Sequence, residues 1–318
     1  MRQDISHSDL VYSTTQKASA AVTSPVAASW SRCLNLYRLQ PEEARKPVQV
    51  DEATFREARE RMERLIGSSA DEVDRLYQMV GRSGCCIVLA DHSGIVVDRR
   101  GAPGDDVEFR ALGLWQQTLW SEASVGTNGI GTALADERAV VIHRDQHFMS
   151  ANIELSCATA PIRDHLGRVT AALDVSTCRN DVSDMTLAVL SQAVRDAAAR
   201  VESNLFRQAF AGARIVVVPQ AQSLSALIAV DGDDLILGAT KAARVALKLD
   251  DGLIAQGLPA ADALRETHNG RTSDLDDAER AALRRVLSRA NGNVSQAAQM
   301  LGISRATLHR KMKRFQLH

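Results

Sequence analysis

The sequence predicts an α+β fold: N-terminal helices, a mixed sensor-like domain, a second small mixed segment and an all-α C-terminal domain. Three apolar runs are each joined by a polar turn to a second apolar run, which is typical of β-hairpins. Helical periodicity fills the segments between these hairpins. Because the hairpins do not repeat as βαβ units, we expect antiparallel pairing rather than a parallel sheet.

Composition and charge restrict the function classes. The 318 residues give room for about two or three domains of roughly 100–200 residues each. Hydrophobic and charged contents of 45% and 24% are ordinary for a globular protein. The net charge of −1 gives the whole chain no attraction for nucleic acid, so any such attraction must come from a local basic cluster.

The cysteines and the N-terminal residues indicate the compartment. Five cysteines show neither a CxxC pair nor metal-ligand spacing, which favours reduced thiols in a cytosolic protein. Residues 1–16 contain no apolar core of a signal peptide, and no stretch of about 20 apolar residues predicts a membrane span. We therefore expect a cytoplasmic protein with no membrane association, no metal and no cofactor.

Residues 1–24 are rich in Ser, Thr, Gln and Ala and are expected to be flexible, whereas residues 25–75 are expected to be helical. Ser24-Pro25 has the pattern of an N-cap followed by proline at the first helical position. Further helices are predicted at residues 52–66 and 71–80.

The hairpins and one long helix occupy the middle of the chain. The hairpins are predicted at residues 85–97, 160–175 and 226–237. The helix is predicted between residues 181 and 210 and would extend about 40 Å. Its apolar stripe could pack along its own domain, or it could form a near-heptad homodimer seam. The stripe consists of Leu190, Val194, Ala197, Val201 and Leu205.

Residues 274–318 have the pattern of a helix-turn-helix domain, after a predicted linker at residues 259–273. An amphipathic helix over residues 278–290 ends at Asn291-Gly292-Asn293, whose residue types tolerate a left-handed helix end. A second short helix is predicted over residues 294–301. Gly302 then forms the turn, and Ser304 caps a third helix that runs to about Phe315.

The third predicted helix is basic, and no acidic residue follows Glu279. The first residues of such a helix meet base edges in the major groove, where arginine pairs with guanine and small methyl groups contact thymine. Its later cations are expected to contact phosphates. The candidate DNA-binding residues are Ser304, Arg305, Ala306, Thr307, His309, Arg310, Lys311, Lys313 and Arg314.

The residues from Asn293 to Met312 resemble the Fis-type helix-turn-helix that ends many bacterial activators working with sigma-54. The matching residues are Asn293-Val294-Ser295-Gln296-Ala297-Ala298, then Leu301-Gly302-Ile303-Ser304-Arg305-Ala306-Thr307-Leu308-His309-Arg310-Lys311-Met312. This resemblance implies a homodimer that binds an inverted repeat in double-stranded promoter DNA.

A glycine-rich segment, Gly126-Thr127-Asn128-Gly129-Ile130-Gly131, precedes a predicted short helix. No Lys-Ser or Lys-Thr follows it, so it is not a Walker A loop. The spacing GxxGxG and the absence of a preceding strand also disfavour a dinucleotide loop. We expect a turn into a helix that Asn128 caps.

Four segments together resemble the GAF domain of the acetoin-catabolism regulator family, which are sigma-54-dependent activators. They are Trp120-Ser121-Glu122, Gly126 to Leu134, His147-Phe148 and Ser156 to Ile162. The resemblance covers residues 76–200, with the long helix to about 210. Ser29 to Cys33 resembles the N-terminal segment of that family, and residues 214–258 resemble its degenerate PAS-like segment.

In the family that these segments resemble, a small ligand binds against the sheet of the GAF domain. This resemblance implies that the same face binds an unknown small-molecule effector here. Each candidate residue also has an ordinary interpretation as part of the core or the surface. The candidates are Trp120, Glu122, Thr127, Asn128, His143, His147 and Cys157.

One departure from the family changes the expected function. Its members carry an AAA+ ATPase between sensor and DNA-binding module, but this sequence has no GxxxxGK[ST], Walker B run or GAFTGA loop. ATP hydrolysis needs a phosphate-binding lysine and a carboxylate for Mg²⁺. We expect a regulator of promoters that is not an ATP-dependent sigma-54 activator. Ligand at the GAF domain, a partner signalling protein, or both would control it, with RNA polymerase as another partner.

Two alternatives remain open from the sequence. One is an adaptor that delivers a second signalling protein to DNA without sensing a ligand. The other is a GAF-type thiol enzyme, such as a free methionine sulfoxide reductase, which would use Cys85, Cys86 and Cys157. Cys85-Cys86 lies in an apolar run, where buried thiols are usually inert. We therefore expect no enzyme activity and no catalytic residues.

Overall fold

The computed structural model describes residues 6–266 except 18, 44, 220, 222 and 224, residues 279–315 except 281, 285, 288, 289 and 291, and residue 317. The fold is α+β, as predicted. The chain divides into two compact units, Met1–Asp164 with Arg168–Leu205, and His165–Gly167 with Phe206–His318. No described helix is long and apolar enough to cross a membrane.

Three helices begin the first unit: α1 (His7–Thr15), α2 (Ala20–Thr23) and α3 (Pro25–Asn35). Ser24 caps α3 with Pro25 at its first turn, as predicted. Helices α1 and α2 correct the expectation of a flexible N-terminus for residues 7–15 and 20–23, whereas residues 1–5 and 18 lie outside the described residues. Val11 on α1 is fully buried beside Trp30 and Phe148, so burial of apolar side chains orders this segment.

Helix α4 (Glu52–Val80) is continuous, which corrects the prediction of separate helices at residues 52–66 and 71–80. The expected interruption contains Gly67 and Ser69, which are weak helix formers. Ser69 is buried, and its hydroxyl donates to the Ile66 carbonyl at 3.1 Å. Packing of the flanking helical turns therefore outweighs the low helix propensity of Gly67 and Ser69.

A five-stranded antiparallel sheet forms the centre of the first unit, in the order β3 (Val96–Arg100), β2 (Cys85–Asp91), β7 (Val169–Thr177), β6 (Ser156–Arg163) and β5 (Val140–His143). The central strand β7 and its neighbour β2 are buried along their length, apart from the first two residues of β7. A separate two-stranded ribbon pairs β1 (Val48–Gln49) with β4 (Thr118–Leu119).

The two faces of this sheet are covered by different helices. On one face pack α4 and α8 (Asp184–Ala209), and the predicted apolar stripe of α8 belongs to the same buried cluster as Leu89 and Leu173. The stripe is thus used for packing within its own domain. The other face, called the sensor face below, is covered by Phe109, Trp120 and Ile130. The segment that covers it contains α5 (Asp106–Ala111), α6 (Glu122–Val125) and α7 (Gly129–Asp136).

The three predicted hairpins are all present, as β2–β3, β6–β7 and the pair of β9 (Leu227–Val230) with β10 (Ile236–Ala239). Aspartate organises the first and third turns in the same way. Asp91 Oδ1 accepts from the backbone nitrogens of Ser93 and Ile95, both at 2.9 Å. Asp231 Oδ1 accepts two bonds of the same length from Asp233 and Leu235. An aspartate side chain that satisfies turn nitrogens is the physical basis of this pattern.

The second unit begins with a three-stranded antiparallel sheet in the order β10-β9-β8. Helix α11 packs its Ala260 and Ala263 into the core of this sheet. It occupies the start of the predicted linker at residues 259–273, which corrects that boundary, and residues 267–273 lie outside the described residues. The elements are β8 (Arg214–Val217), β9 (Leu227–Val230), β10 (Ile236–Ala239), α9 (Lys241–Leu247), α10 (Asp251–Ala255) and α11 (Ala260–Glu266).

The C-terminal residues form a small helical core. Helical residues occur at 279–280, 282–284 and 286–287, followed by α12 (Val294–Met300) and α13 (Arg305–Arg314). Gly292 and Gly302 have φ values of +78° and +62°, the left-handed conformation expected at these helix ends. The buried core consists of Leu283, Ala290, Ala297, Ala298, Leu308 and Phe315.

Candidate functional site

Helix α13 has one buried face and one exposed basic face. Ser304 caps it, with its hydroxyl accepting from the Thr307 backbone nitrogen at 3.1 Å. Leu308 is fully buried, and Met312 packs beside it. The predicted DNA-binding residues that are exposed are Ser304, Arg305, Ala306, His309, Arg310, Lys313 and Arg314. The exposed side is thus the one able to enter a groove.

Two predicted DNA-binding residues are engaged within the domain. The Thr307 hydroxyl lies 2.9 Å from the Ser304 hydroxyl and is only half-exposed, so it supports the N-cap. Lys311 Nζ forms an ion pair with the Glu279 carboxylate. Both side chains are about one-third exposed, so the pair is partly solvated and contributes on the order of 1 kcal/mol, and a phosphate could compete for the lysine.

Glu122, on α6, is a buried residue whose carboxylate accepts hydrogen bonds from several side chains. Arg32 donates from Nε to Oε2 at 2.9 Å and from Nη2 to Oε1 at 2.8 Å. Ser29 and Thr132 hydroxyls donate to Oε1 at 2.5 and 3.0 Å. The hydrogen bond to Glu122 raises the pKa of Arg32, which keeps the guanidinium charged.

Thr127 joins the same network through Ser29. The two hydroxyl oxygens are 2.6 Å apart, and Thr127 is fully buried. The structure therefore brings together two predicted ligand-binding residues, Glu122 and Thr127. Their polar atoms are bonded to α3, a helix that sequence reasoning had not connected to them.

His147 and Cys157 form a second buried group. His147 Nε2 lies 3.5 Å from Cys157 Sγ, and its Nδ1 lies 3.0 Å from the Arg144 carbonyl oxygen. Complete burial lowers the pKa of His147 to about 4, so the imidazole is neutral at pH 7. The Ser176 hydroxyl lies 3.0 Å from Cys157 Sγ and links this group to a carboxylate.

That carboxylate belongs to Asp174, which sequence reasoning missed. Thr159 donates to Oδ1 at 2.5 Å, and the Ser176 hydroxyl lies 2.6 Å from Oδ2. Burial raises the pKa of Asp174 to about 6. Polar residues at alternate positions of otherwise apolar strands were the available signal, because alternate residues share one sheet face.

The first residue of helix α7, Gly129, packs against the sheet beside Asp174. A Cβ at Gly129 would overlap Thr159 Oγ1 and would lie 2.7 Å from Cys157 Cβ and 2.8 Å from Asp174 Oδ1. Asn128 caps the helix as predicted, since its Oδ1 accepts from the Gly131 nitrogen at 2.8 Å. The glycine-rich segment therefore permits close helix–sheet packing.

The remaining two candidates have separate partners. Trp120 is buried, and its Nε1 donates to the Gly113 carbonyl at 3.0 Å. His143, on β5, has Nδ1 2.8 Å from the Ser156 hydroxyl. Neither shares a hydrogen bond with the Glu122 or the Asp174 network among the described residues.

The thiols proposed for an enzyme are buried. Cys85, Cys86 and Cys157 are each at most 4% exposed. Burial raises the pKa of all three thiols. Because the thiolate is the reactive form, this environment disfavours nucleophilic chemistry at these positions.

Two families of known proteins match the chain. Residues 5–203 match the family described as MimR, N-terminal domain. The chain belongs to this family. Residues 274–315 match the family described as bacterial regulatory protein, Fis family, which confirms the predicted Fis-type helix-turn-helix. Residues 204–273, between the two matched ranges, are too few to form an ATPase domain.

Relatives of the chain are transcription regulators. It is 31% identical to the acetoin catabolism regulatory protein of Cupriavidus necator over 241 residues, which are 74% of this chain and 36% of the relative. It is 30% identical to the propane 2-monooxygenase operon transcriptional activator MimR of Mycolicibacterium smegmatis over 189 residues, 58% of this chain and 30% of the relative. The chain thus matches about a third of the length of these relatives.

The sensor fold has a solved counterpart. The structure of the E. coli DhaR(N)-DhaL complex matches with a TM-score of 0.50 and 20% identity, over 75% of this chain and 80% of that one. This similarity shows the fold of the N-terminal sensor, which agrees with the expected sensor domain.

Proposed function

We propose that the protein is a transcription regulator that binds promoter DNA sequence-specifically through α13 and is controlled from its sensor domain. The exposed basic face of α13 carries the proposal. This face lies in a Fis-family domain and in a part of the sequence without acidic residues after Glu279. Protein cations that replace phosphate counterions supply much of the affinity for DNA.

The exposed residues of α13 suggest a division of roles. Arg305, Ala306, His309 and Arg310 lie within its first six residues and would meet base edges. Lys313 and Arg314 lie near its end and would contact phosphates. A cytoplasmic homodimer would place two such helices on an inverted repeat, because two-fold protein symmetry matches two half-sites.

The regulatory output would not come from ATP hydrolysis by this chain, since no phosphate-binding loop precedes the helix-turn-helix. DNA occupancy itself, or recruitment of RNA polymerase, would produce the effect. A small ligand on the sensor face would shift the population of two dimer geometries and so change the affinity for DNA.

The second candidate is an adaptor whose partner protein supplies the signal. The E. coli complex favours it, because a sensor of the same fold, DhaR(N), is bound there to DhaL. Co-purification of a stoichiometric signalling protein with this chain, together with no ligand response of the isolated chain, would favour the adaptor.

The experiment selects DNA from a random duplex pool with the full chain and then measures affinity for the selected fragment. Loss of one bidentate base contact costs about 1–3 kcal/mol, so Arg310→Ala should weaken binding roughly 10- to 100-fold. Arg64→Ala, at an exposed arginine of α4, is the matched control and should leave affinity unchanged. Equal affinity of both variants would contradict DNA binding through α13.

A further inference from the structure

Arg99 is a buried cation of the sensor domain, and two of its three guanidinium nitrogens have no hydrogen-bond partner among the described residues. It lies on β3, and its side chain is only 7% exposed. Nη1 donates to Asp106 Oδ1 at 2.8 Å. Nε and Nη2 are buried and have no hydrogen-bond partner among the described residues. Buried polar groups normally have partners, so this edge requires an explanation.

The position of Arg99 places it on the sensor face. It pairs with Val88 on β2, and Val88 pairs in turn with Asp174 on β7. Residues that pair directly across antiparallel strands share a sheet face. Arg99 therefore lies in the same transverse row as Asp174, on the face that the segment from α5 to α7 covers.

Aromatic rings and a second cation surround Arg99. Its guanidinium carbon lies 4.2 Å from the Trp115 ring centroid and 5.4 Å from that of Phe109. The guanidinium of Arg110, an exposed residue, lies 3.7 Å from the same Trp115 centroid. Two cations thus share one indole, and Asp106 bonds only to the Nη1 end of Arg99.

Nε and Nη2 form the side-on edge of a guanidinium, with two nearly parallel N–H groups. This edge matches the two oxygens of a carboxylate, which it binds with charge-assisted hydrogen bonds. We propose that Arg99, Arg110 and Trp115 bind a small organic carboxylate, and that this carboxylate is the effector of the sensor domain. The effector role rests on the proposed function, whereas carboxylate binding does not.

The surroundings favour a carboxylate over a phosphate. Arg99 and Arg110 together with Asp106 have a formal net charge of +1, which matches a monoanion, and the apolar rings of Phe109 and Trp115 lie beside the Arg99 guanidinium. A phosphate dianion carries more charge and more acceptors, so its desolvation would require further donors.

Gly101 leaves the space that the Arg99 guanidinium occupies. A Cβ at this position would overlap Arg99 Nη2 and would lie 2.7 Å from Cζ. Gly101→Ala would therefore displace the guanidinium while keeping its charge. This variant separates the geometry of the edge from the mere presence of a cation.

The experiment measures binding to the full chain, in the absence of DNA, by titration calorimetry and by the shift in melting temperature. The probes are acetate, propionate, butyrate and benzoate, the corresponding primary amides, and inorganic phosphate. At least one carboxylate should bind and raise the melting temperature, because a ligand of the native state stabilises it. Its amide and phosphate should not bind.

Arg99→Lys and Gly101→Ala should each weaken carboxylate binding about tenfold or more, the effect of losing one charge-assisted hydrogen bond. Asp106→Asn removes a competing carboxylate and should strengthen binding. Arg100→Lys is the matched control, because Arg100 is bonded to Asp74 and Asp98 and should not change the affinity.

Three results would overturn the assignment: binding of no carboxylate in the set, equal binding of the amides or of phosphate, or unchanged affinity in Arg99→Lys. The DNA assay reports separately on the proposed function. Carboxylate binding without DNA binding would contradict only the regulator, and DNA binding without carboxylate binding would contradict only this site.

Discussion

Glu122 and Arg32 form a bidentate ion pair, with Nε–Oε2 and Nη2–Oε1 distances of 2.9 and 2.8 Å, between helix α6 and the N-terminal helix α3. The Glu122 side chain is 2% exposed and that of Arg32 is 31% exposed. Because a buried carboxylate is costly without its partners, this pair fixes α3 against the sensor domain. The N-terminal helices are therefore part of the sensor rather than an appendage.

Arg32→Met should strongly destabilise the protein, because it leaves the buried Glu122 carboxylate without its cation. Loss of one partner from a buried pair costs about 3–5 kcal/mol, and the partial exposure of Arg32 favours the lower value. Urea unfolding measures the change. Arg138→Met removes an exposed arginine that pairs with Asp136 and should cost less than about 1 kcal/mol. Equal losses in the two variants would contradict the role of the pair.

Gly129→Ala should destabilise the protein by about 1–3 kcal/mol, the usual cost of an added methyl group in a packed core. The added Cβ would overlap Thr159 and approach Asp174. Gly67→Ala is the control, since a Cβ there meets no atom within 4 Å in the middle of α4. This control should stabilise the protein by about 1 kcal/mol through helix propensity. Stabilisation by both variants would show that α7 does not contact the sheet at Gly129.

Asp174→Asn should stabilise the protein more at pH 8 than at pH 5. The raised pKa of Asp174, about 6, means that the folded state favours the protonated form. Its contribution to stability is therefore present at low pH and is lost as the pH rises through 6. Asparagine stays neutral at both pH values. The difference in free energy of unfolding, variant minus parent, should therefore be about 1.4 kcal/mol larger at pH 8 than at pH 5. A difference independent of pH would contradict the burial of a titrating carboxylate.

Local features of the fold follow from the sequence, because the groups that cause them lie within a few residues. Ser24, Asn128 and Ser304 were each predicted as N-caps, and each side chain accepts a backbone hydrogen bond three residues further on. The hairpin turns led by aspartate follow for the same reason.

The buried networks did not follow from the sequence, because their partners are distant along the chain. Ser29 and Arg32 are 93 and 90 residues from Glu122, and local spacing gives no sign of that pairing. Asp174 meets Thr159 only in the register that joins β6 to β7. Register depends on the whole sheet, so a single strand cannot indicate it.

Lys313→Ala should weaken binding to all DNA fragments by a similar factor, since a phosphate contact carries no sequence information. It should also reduce the slope of log affinity against log salt by about 1. Arg310→Ala should instead relax the preference at one base position. Competition between the selected fragment and random duplex DNA distinguishes the two effects, and a change of preference in Lys313→Ala would contradict the assigned role.

The most direct test of DNA binding by this chain is the salt dependence of its affinity for the selected duplex, measured with the full chain and without ATP. Neutralisation of about six to eight phosphates by two copies of the basic helix predicts a log–log slope of roughly −5 to −7, at about −0.9 per phosphate. A slope in this range would support the regulator. A flat response to salt, or binding only in the presence of ATP, would contradict it.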